Sequence, residues 1–471
     1  MRRRKDFLRS ENISEMYSLV RYFKNIFNEE VSRYFLIFLL AFVPQLIIIF
    51  TESPILLWEE NIHLATAKKF IEADNYSEGF QFSILEWILA SLIVIFGDNI
   101  TIIKIVLILI YSISVIFLFK IFEEYYKDSW KNSLFTFFYV VNGINLFWAS
   151  RICSDVLGAS FLILSLYFYY RYYYKREDKD LVCSTFFGVL SFLAKLYYGL
   201  WLVILLMTLE NRVKVRFLMY LLIFVFPWLL YNIIYYESPL RVLINQYNIT
   251  FSWQHSESIL RFINNLLVYI GFITVSLLLY TKINAVERPI YFYTLILLVY
   301  FTVFVEFNNP RHFIAILPTL IILARATVDR IPGTLLILLL AYTFSAGQSA
   351  LKGINDIIQY RFCWDGTDII SFAINYLRNH NASVVLSNCC WIWIGNTLGI
   401  ESYALWSENV SYLIQLYKPD YIVYSPNYGI LLNYSFKNLE EVVEYEDVCG
   451  LKVIIYSRKP LSPQNYLENK Q

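Results

Sequence analysis

Charge is what this sequence has least of. Only 16% of its 471 residues are charged, against about a quarter in soluble domains. With 58% hydrophobic residues and a mean hydropathy of +0.50, the chain lacks the polar residues to cover a soluble globule. A polytopic membrane protein is the class that remains. Lys and Arg number 39 against 38 Asp and Glu, a balance that says nothing about partners because the charges are segregated along the chain, and no basic patch suggests nucleic acid. Cysteine is scarce too: six residues, with no CxxC pair and no His/Cys cluster at metal spacing, speak against a zinc site. The N-terminal "MRRRKDFLRSENISEMYSLVRYFKNIFNEEVSRY" lacks the short apolar core and small-residue cleavage site of a signal peptide. It reads as a basic cytosolic tail over 1–33, ahead of a retained first span.

What is present is long apolar runs. A helix needs about 20 apolar residues to cross hydrocarbon, and candidate runs, several of them short, lie near 34–51, 101–122, 132–149, 156–174, 181–194, 197–211, 215–236, 262–281, 289–307, 312–327 and 332–348. The run "ILEWILASLIVIFG" at 84–97 is too short for a full crossing and predicts an interfacial or re-entrant helix in a first outer loop spanning 52–100. Lys120/Lys127/Lys131, Arg171/Lys175/Arg176/Lys179, Arg212/Lys214/Arg216, Lys282/Arg288 and Arg325/Arg330 all fall on one side if 84–97 does not cross. Positive charge collects on the cytoplasmic side. The expectation is about 11 transmembrane helices over 34–350, N-terminus in the cytosol and C-terminus outside. Tyrosine and phenylalanine, 39 and 38 of them, suit the membrane-interface belts of such a protein.

After residue 350 the pattern changes. "ASVVLS", "DYIVYS" and "KVIIYS" read as strands and "TDIISFAINYLRNH" as a helix, so 351–471 is expected to form a small extracytoplasmic α/β domain. Cys363, Cys389, Cys390 and Cys449 lie in or just before it, where disulfides are permitted, and the pairing stays open. Sequons at Asn248, Asn381, Asn409 and Asn433 would also face outward.

The sparse charges at span ends hold the functional signal. "LLWEENIH" puts Glu59, Glu60 and His63 just after the first span; "FWASRICSDVLGASF" puts Arg151 and Asp155 before the fourth. "VLSFLAKLYYGLW" adds Lys195, and "VEFNNPRHFIAILP" adds Glu306, Arg311 and His312. On the deduced topology all four sites sit on the outer side. Charges beside spans are costly and usually face a cavity or a partner. Each also has a plain structural reading: Glu59 and Glu60 as solvated loop acids, Asp155 as a helix N-cap, Lys195 as a snorkelling side chain, Arg311 and His312 as interface anchors. All four being plain at once is the weaker reading, because they converge on one face.

The ordered set resembles the GT-C glycosyltransferases that use polyprenyl-phosphate sugars, in the branch of protein O-mannosyltransferases and aminoarabinose transferases. "WEENIH" is similar to the family's outer-loop acidic pair, with Glu59 where Asp is usual and His63 where Tyr is common. "RICSDVLGASFLILSLYFYYR", "GVLSFLAKLYYG" and "RHFIAILPTLIILA" are similar to three later family elements, and the likeness covers about 34–330. The resemblance implies a GT-C-type membrane fold and transfer of a sugar, with inversion, from a dolichyl- or undecaprenyl-phosphate donor to a protein, glycan or lipid acceptor on the outer face.

Such transfer needs a base within reach of the acceptor proton and cations for the leaving phosphate. Glu59 is the first candidate for the base and Glu60 the second, with Asp155 orienting the acceptor or sharing the role; which acid acts stays open. Lys195, Arg311, His312 and Arg151 are the candidates for the donor phosphate. If a divalent cation such as Mg or Mn takes part, Glu59, Glu60 and Asp155 are the carboxylates to bridge it to phosphate. The rival classes are a multi-pass transporter or lipid flippase and a non-catalytic assembly factor. The outer-half clustering of the charges, with no inverted repeat, weighs against transport.

Overall fold

The computed structural model describes residues 30–51, 56, 58–72, 84–240, 242–244, 259–274, 284–303, 310–330, 335–362, 367–405, 410–426, 436, 439–447 and 450–457. Most of the 1–33 tail, Glu306, Cys363, Cys449, Asn248, Asn409 and Asn433 lie outside these residues. The chain opens with α1 (Glu30–Thr51), α2 (Trp58–Glu72) and α3 (Ile84–Phe96). Then come α4 (Ile100–Tyr125), α5 (Ser129–Val141), α6 (Gly143–Trp148), α7 (Ser154–Lys175) and α8 (Asp178–Ala194). Next are α9 (Gly199–Thr208), α10 (Asn211–Tyr236), α11 (Ile259–Tyr269), α12 (Arg288–Val303), α13 (Leu317–Arg330) and α14 (Leu335–Phe362). The C-terminal part holds α15 (Thr367–Asn379), β1 (Val384–Ser387), α16 (Trp391–Leu398) and β2 (Glu401–Ala404). It continues with α17 (Val410–Tyr417), β3 (Tyr421–Tyr424), β4 (Glu440–Glu446) and β5 (Lys452–Ser457).

Among the described residues each of the eleven apolar runs falls at least in part on a helix; 275–281, 304–307 and 332–334 lie outside them. Among the described residues, three of these helices are long and apolar enough to cross a membrane: Val31–Thr51, Ile100–Tyr125 and Asn211–Ile234. Two runs are interrupted where backbone chemistry demands it. The 132–149 run breaks at Asn142, whose side chain accepts from Ile144 N and caps α6. The 312–327 run starts as a 3₁₀ turn, Pro310–Ala315, before α13 begins. The acidic stretch at 58–72, expected to be loop, is helical as α2; its low apolar content hid it from a search for spans.

The chain divides into two compact units, Met1–Phe50 with Glu78–Leu85 and Asn99–Ile354, and Thr51–Ser77 with Glu86–Asp98 and Asn355–Gln471. In the first unit α7 is a deeply set helix, buried along most of its length. It packs antiparallel to α8 through small residues, which let helices approach when no hydrophobic gradient drives them together. Ser165 Oγ donates to the Ser184 carbonyl (2.7 Å), Ser184 Oγ returns the bond to the Ser165 carbonyl (3.0 Å), and Ser191 Oγ donates to the Gly158 carbonyl (2.7 Å). This seam brings the start of α7 and the end of α8 to one place.

A tighter approach joins α6 and α14. A Cβ on Gly353 would stand 2.5 Å from Gly143 Cα and carbonyl O, which are backbone atoms with no rotamer to yield. Gly347, on the same helix, has nothing within 4 Å of the equivalent position. Gly353→Ala is therefore expected to destabilise the protein by roughly 1–3 kcal/mol through overpacking, while Gly347→Ala is neutral or stabilising. Thermal unfolding in detergent checks both; a Gly353→Ala melting temperature equal to wild type would refute the close crossing.

The second unit carries a five-stranded sheet of order β2-β1-β3-β5-β4. β1 pairs in parallel with β2 and β3, and β5 runs antiparallel to both β3 and β4. The three expected strands are β1, β3 and β5, and the expected helix is α15. β2 ("ESYA") and β4 ("EEVVEYE") escaped the apolar-strand criterion because they are the polar edges, where charge discourages pairing with another chain. Cys389 and Cys390 are buried free thiols in this unit.

Candidate functional site

Three of the predicted residues meet in the first unit. Asp155 lies in the first turn of α7, where the helix dipole favours a carboxylate. It is not at the N-cap, the plain alternative for it: Cys153 holds that position, without a side-chain cap bond. Lys195 is the residue at which α8 ends, its backbone extended, and Arg311 rides on the Pro310–Ala315 turn. The Asp155 side chain is fully buried, and its Oδ2 is 3.9 Å from Lys195 Nζ and 3.8 Å from Arg311 Nε. These are ion pairs at long range rather than tight hydrogen bonds. Both cations keep an open edge, with 24% of the Lys195 and 19% of the Arg311 side chain exposed. Arg311 precedes the apolar run that begins at His312; burial pushes its guanidinium down to about 10, so it is a cation at neutral pH.

Neighbours that the sequence did not single out hold this trio. Lys195 Nζ donates to Ser154 Oγ (3.3 Å), Cys153 Sγ lies 3.8 Å from Asp155 Oδ2, and the Arg311 guanidinium sits 5.8 Å from the Trp148 ring centroid. The Tyr198 hydroxyl donates to the Asp155 carbonyl (2.6 Å). That ring fits only because residue 158 is glycine, where a Cβ would come within 2.3 Å of it. His312 packs against Phe301 and Tyr197, and its buried Nδ1 has no hydrogen-bond partner among the described residues. Arg151 is buried, with its guanidinium 3.8 Å from the Phe147 ring centroid and a hydrogen bond to the Phe147 carbonyl.

The other predicted residues form a cluster in the second unit. Glu59, Glu60 and His63 all lie on α2, which α16 holds in place: Trp393 Nε1 donates to the Leu56 carbonyl (2.6 Å) and Asn396 to the Asn61 carbonyl (3.3 Å). Glu60 is buried, whereas 14% of the Glu59 side chain is exposed. His63 is buried between two acids, with Nε2 3.6 Å from Glu59 Oε1 and Nδ1 2.6 Å from Glu86 Oε1. Glu86 was missed. Its signal was available, since it is the one charge in the apolar α3.

Among the described residues, no group of three or more His, Cys, Asp or Glu side chains is placed to hold a metal ion. The ion pairs described for Asp155 are those with Lys195 and Arg311. A cavity of about 180 Å³ lies at the other end of α13, lined by Tyr125, Tyr126, Tyr170, Tyr174, Glu287 and Arg330 among others, and contains none of the predicted residues.

No protein-family model matches the chain, and no curated protein matches it significantly. Solved structures do. ArnT from Cupriavidus metallidurans bound to undecaprenyl phosphate superposes with a TM-score of 0.64 at 12% identity, covering 91% of this chain and 98% of that one. Its apo state matches with the same TM-score and coverage. The fold is that of ArnT. That agreement bears out the GT-C resemblance at the level of architecture. Within the ArnT fold of this chain, the ends of α7 and α8 and the turn before α13 put one buried carboxylate beside two partly exposed cations. Such a cradle can hold an anion with two or more oxygens, since Arg offers a planar fork and Lys a point charge.

Proposed function

We propose that this membrane protein transfers a sugar from a polyprenyl-phosphate carrier to an acceptor on the outer face of the membrane. One observation carries the reading: Asp155, Lys195 and Arg311, from three separate segments, converge in an ArnT fold with the cations partly exposed and the acid buried. The ArnT structure with undecaprenyl phosphate supports a carrier of that chemistry. Lys195 and Arg311 take the phosphate and stabilise its charge as the sugar leaves. Asp155, fixed by the first turn of α7, holds the two cations in register. Glu59 removes the proton from the acceptor hydroxyl or amine. Glu59 rather than Glu60 is assigned that task as the less buried member of the pair. The eleven apolar runs cross the bilayer, the N-terminus is cytosolic and the C-terminal α/β domain lies outside, as the placement of the basic loops supports.

The test is purified protein in liposomes given an undecaprenyl- or dolichyl-phosphate donor with a labelled sugar and a mixture of protein, glycan and lipid acceptors. The expected result is label on an acceptor, lost in Lys195→Ala with the fold intact. Movement of labelled lipid between leaflets without any transfer would instead make the protein a flippase.

A further inference from the structure

The Glu86–His63–Glu59 row in the second unit has more order than an acidic patch requires. Glu86 is 1% exposed in a helix otherwise made of apolar, aromatic and serine side chains, a costly place for a carboxylate unless it is partnered. Its Oε1 is 2.6 Å from His63 Nδ1, so an ionised Glu86 accepts from an Nδ1–H and selects that tautomer of the neutral ring. The other ring nitrogen, Nε2, is then the one with a lone pair; it is buried, has no hydrogen-bond partner among the described residues, and faces Glu59 Oε1 at 3.6 Å. Helical spacing contributes the last element, since residues 59 and 63 share a face of α2 at i,i+4.

We propose that Glu86 is a positioning residue that aims His63 Nε2 at Glu59, so that the imidazole receives the proton Glu59 removes from the acceptor. The inference rests on the reading of Glu59 as the base. The step balances as a proton transfer. The acceptor O–H or N–H bond breaks as the sugar–acceptor bond forms and the sugar–phosphate bond breaks, with that bond's electron pair leaving on the phosphate. The proton goes to Glu59 and then to Nε2, giving an imidazolium between Glu86 and a regenerated Glu59 carboxylate. A small rotation of Glu59 closes the 3.6 Å gap to hydrogen-bonding distance. His63 is also three residues from Glu60, but the described ion pair of Nε2 is with Glu59.

The experiment compares wild type with Glu86→Gln, Glu86→Asp and Glu59→Gln in full-length reconstituted protein. It measures kcat and KM for transfer, and ¹⁵N spectra of histidine-labelled protein. The chain has four histidines, so His63 is assigned by its loss in His63→Gln. Glu86→Gln is expected to lower kcat by roughly 10- to 100-fold, the scale on which carboxylate partners of imidazole ligands act, with KM for donor and acceptor unchanged. It should also remove the wild-type Nδ1–H signature of His63. Glu86→Asp, which keeps the charge, should recover most of kcat. Wild-type kcat in folded Glu86→Gln, or a His63 spectrum indifferent to the substitution, overturns the relay. If Glu86→Gln does not fold, Glu86→Asp decides: a His63 tautomer different from wild type in an active protein overturns it equally. Full transfer by Glu59→Gln would instead remove the base reading beneath it.

Discussion

Arg311→Ala is expected to reduce sugar transfer by roughly 100- to 1,000-fold, the cost of deleting one preorganised donor aimed at developing charge. Arg311 sits on the Pro310–Ala315 turn with its guanidinium near Trp148 and 3.8 Å from Asp155, so its position is set before any carrier arrives. Preorganisation is what makes such a cation valuable: water would have to reorient around a leaving phosphate, whereas a guanidinium held by an indole and a carboxylate does not. Arg311→Lys keeps the charge and loses the fork, so it should recover part of the rate and not all of it. Asp155→Asn removes the acid that both cations share and is expected to lower transfer and stability together, because it leaves two like charges close in a buried setting. Initial rates on a labelled polyprenyl-phosphate sugar, with size-exclusion profiles as the folding control, decide the matter. An Arg311→Ala protein that elutes as wild type and transfers at full rate would end the assignment of this trio to the phosphate.

The trio was legible because its members sit at ends of apolar runs, where charge is conspicuous. Lys195 interrupts "VLSFLAKLYYG", and Arg311 opens "RHFIAILP". Their meeting was legible only as a shared side of the bilayer. The distances follow from the serine and glycine seam of α7 and α8, whose pairings join residues such as Ser165 and Ser184 that no short motif connects. Glu86 stayed hidden for a related reason: it lies 23 residues from His63, inside a run judged on hydropathy alone. A charge in a helix as apolar as "ILEWILASLIVIF" asks for a partner, and asking that question of the sequence would have found it. Asp155 shows the opposite limit. Its helix start was predicted within two residues, yet its place inside the first turn, not at the cap, is what leaves its carboxylate available to the cations.

Glu59→Gln is expected to cost roughly 100- to 10,000-fold in kcat, the range for loss of a general base, with donor affinity unchanged. The substitution is nearly isosteric, so α2 should keep its seat under Trp393 and Asn396, and melting behaviour should stay at the wild-type value. Glu60→Gln is expected to do the reverse. Glu60 is 1% exposed, so exchanging its carboxylate for an amide alters a buried polar site and lowers stability while sparing the chemical step. Adjacent residues on a helix point about 100° apart, which is why two neighbouring acids differ in burial. The contrast is sharper than either single result. If Glu60→Gln abolished transfer in a folded protein while Glu59→Gln was silent, the base would be the buried acid, and the exposed edge of Glu59 beside His63 would lose its catalytic meaning. Glu59→Asp adds a geometric reading of the same site: shortening the arm by one methylene draws the carboxylate back from the acceptor. A partial loss in kcat alone is the mark of a base moved out of reach, not of a binding group removed.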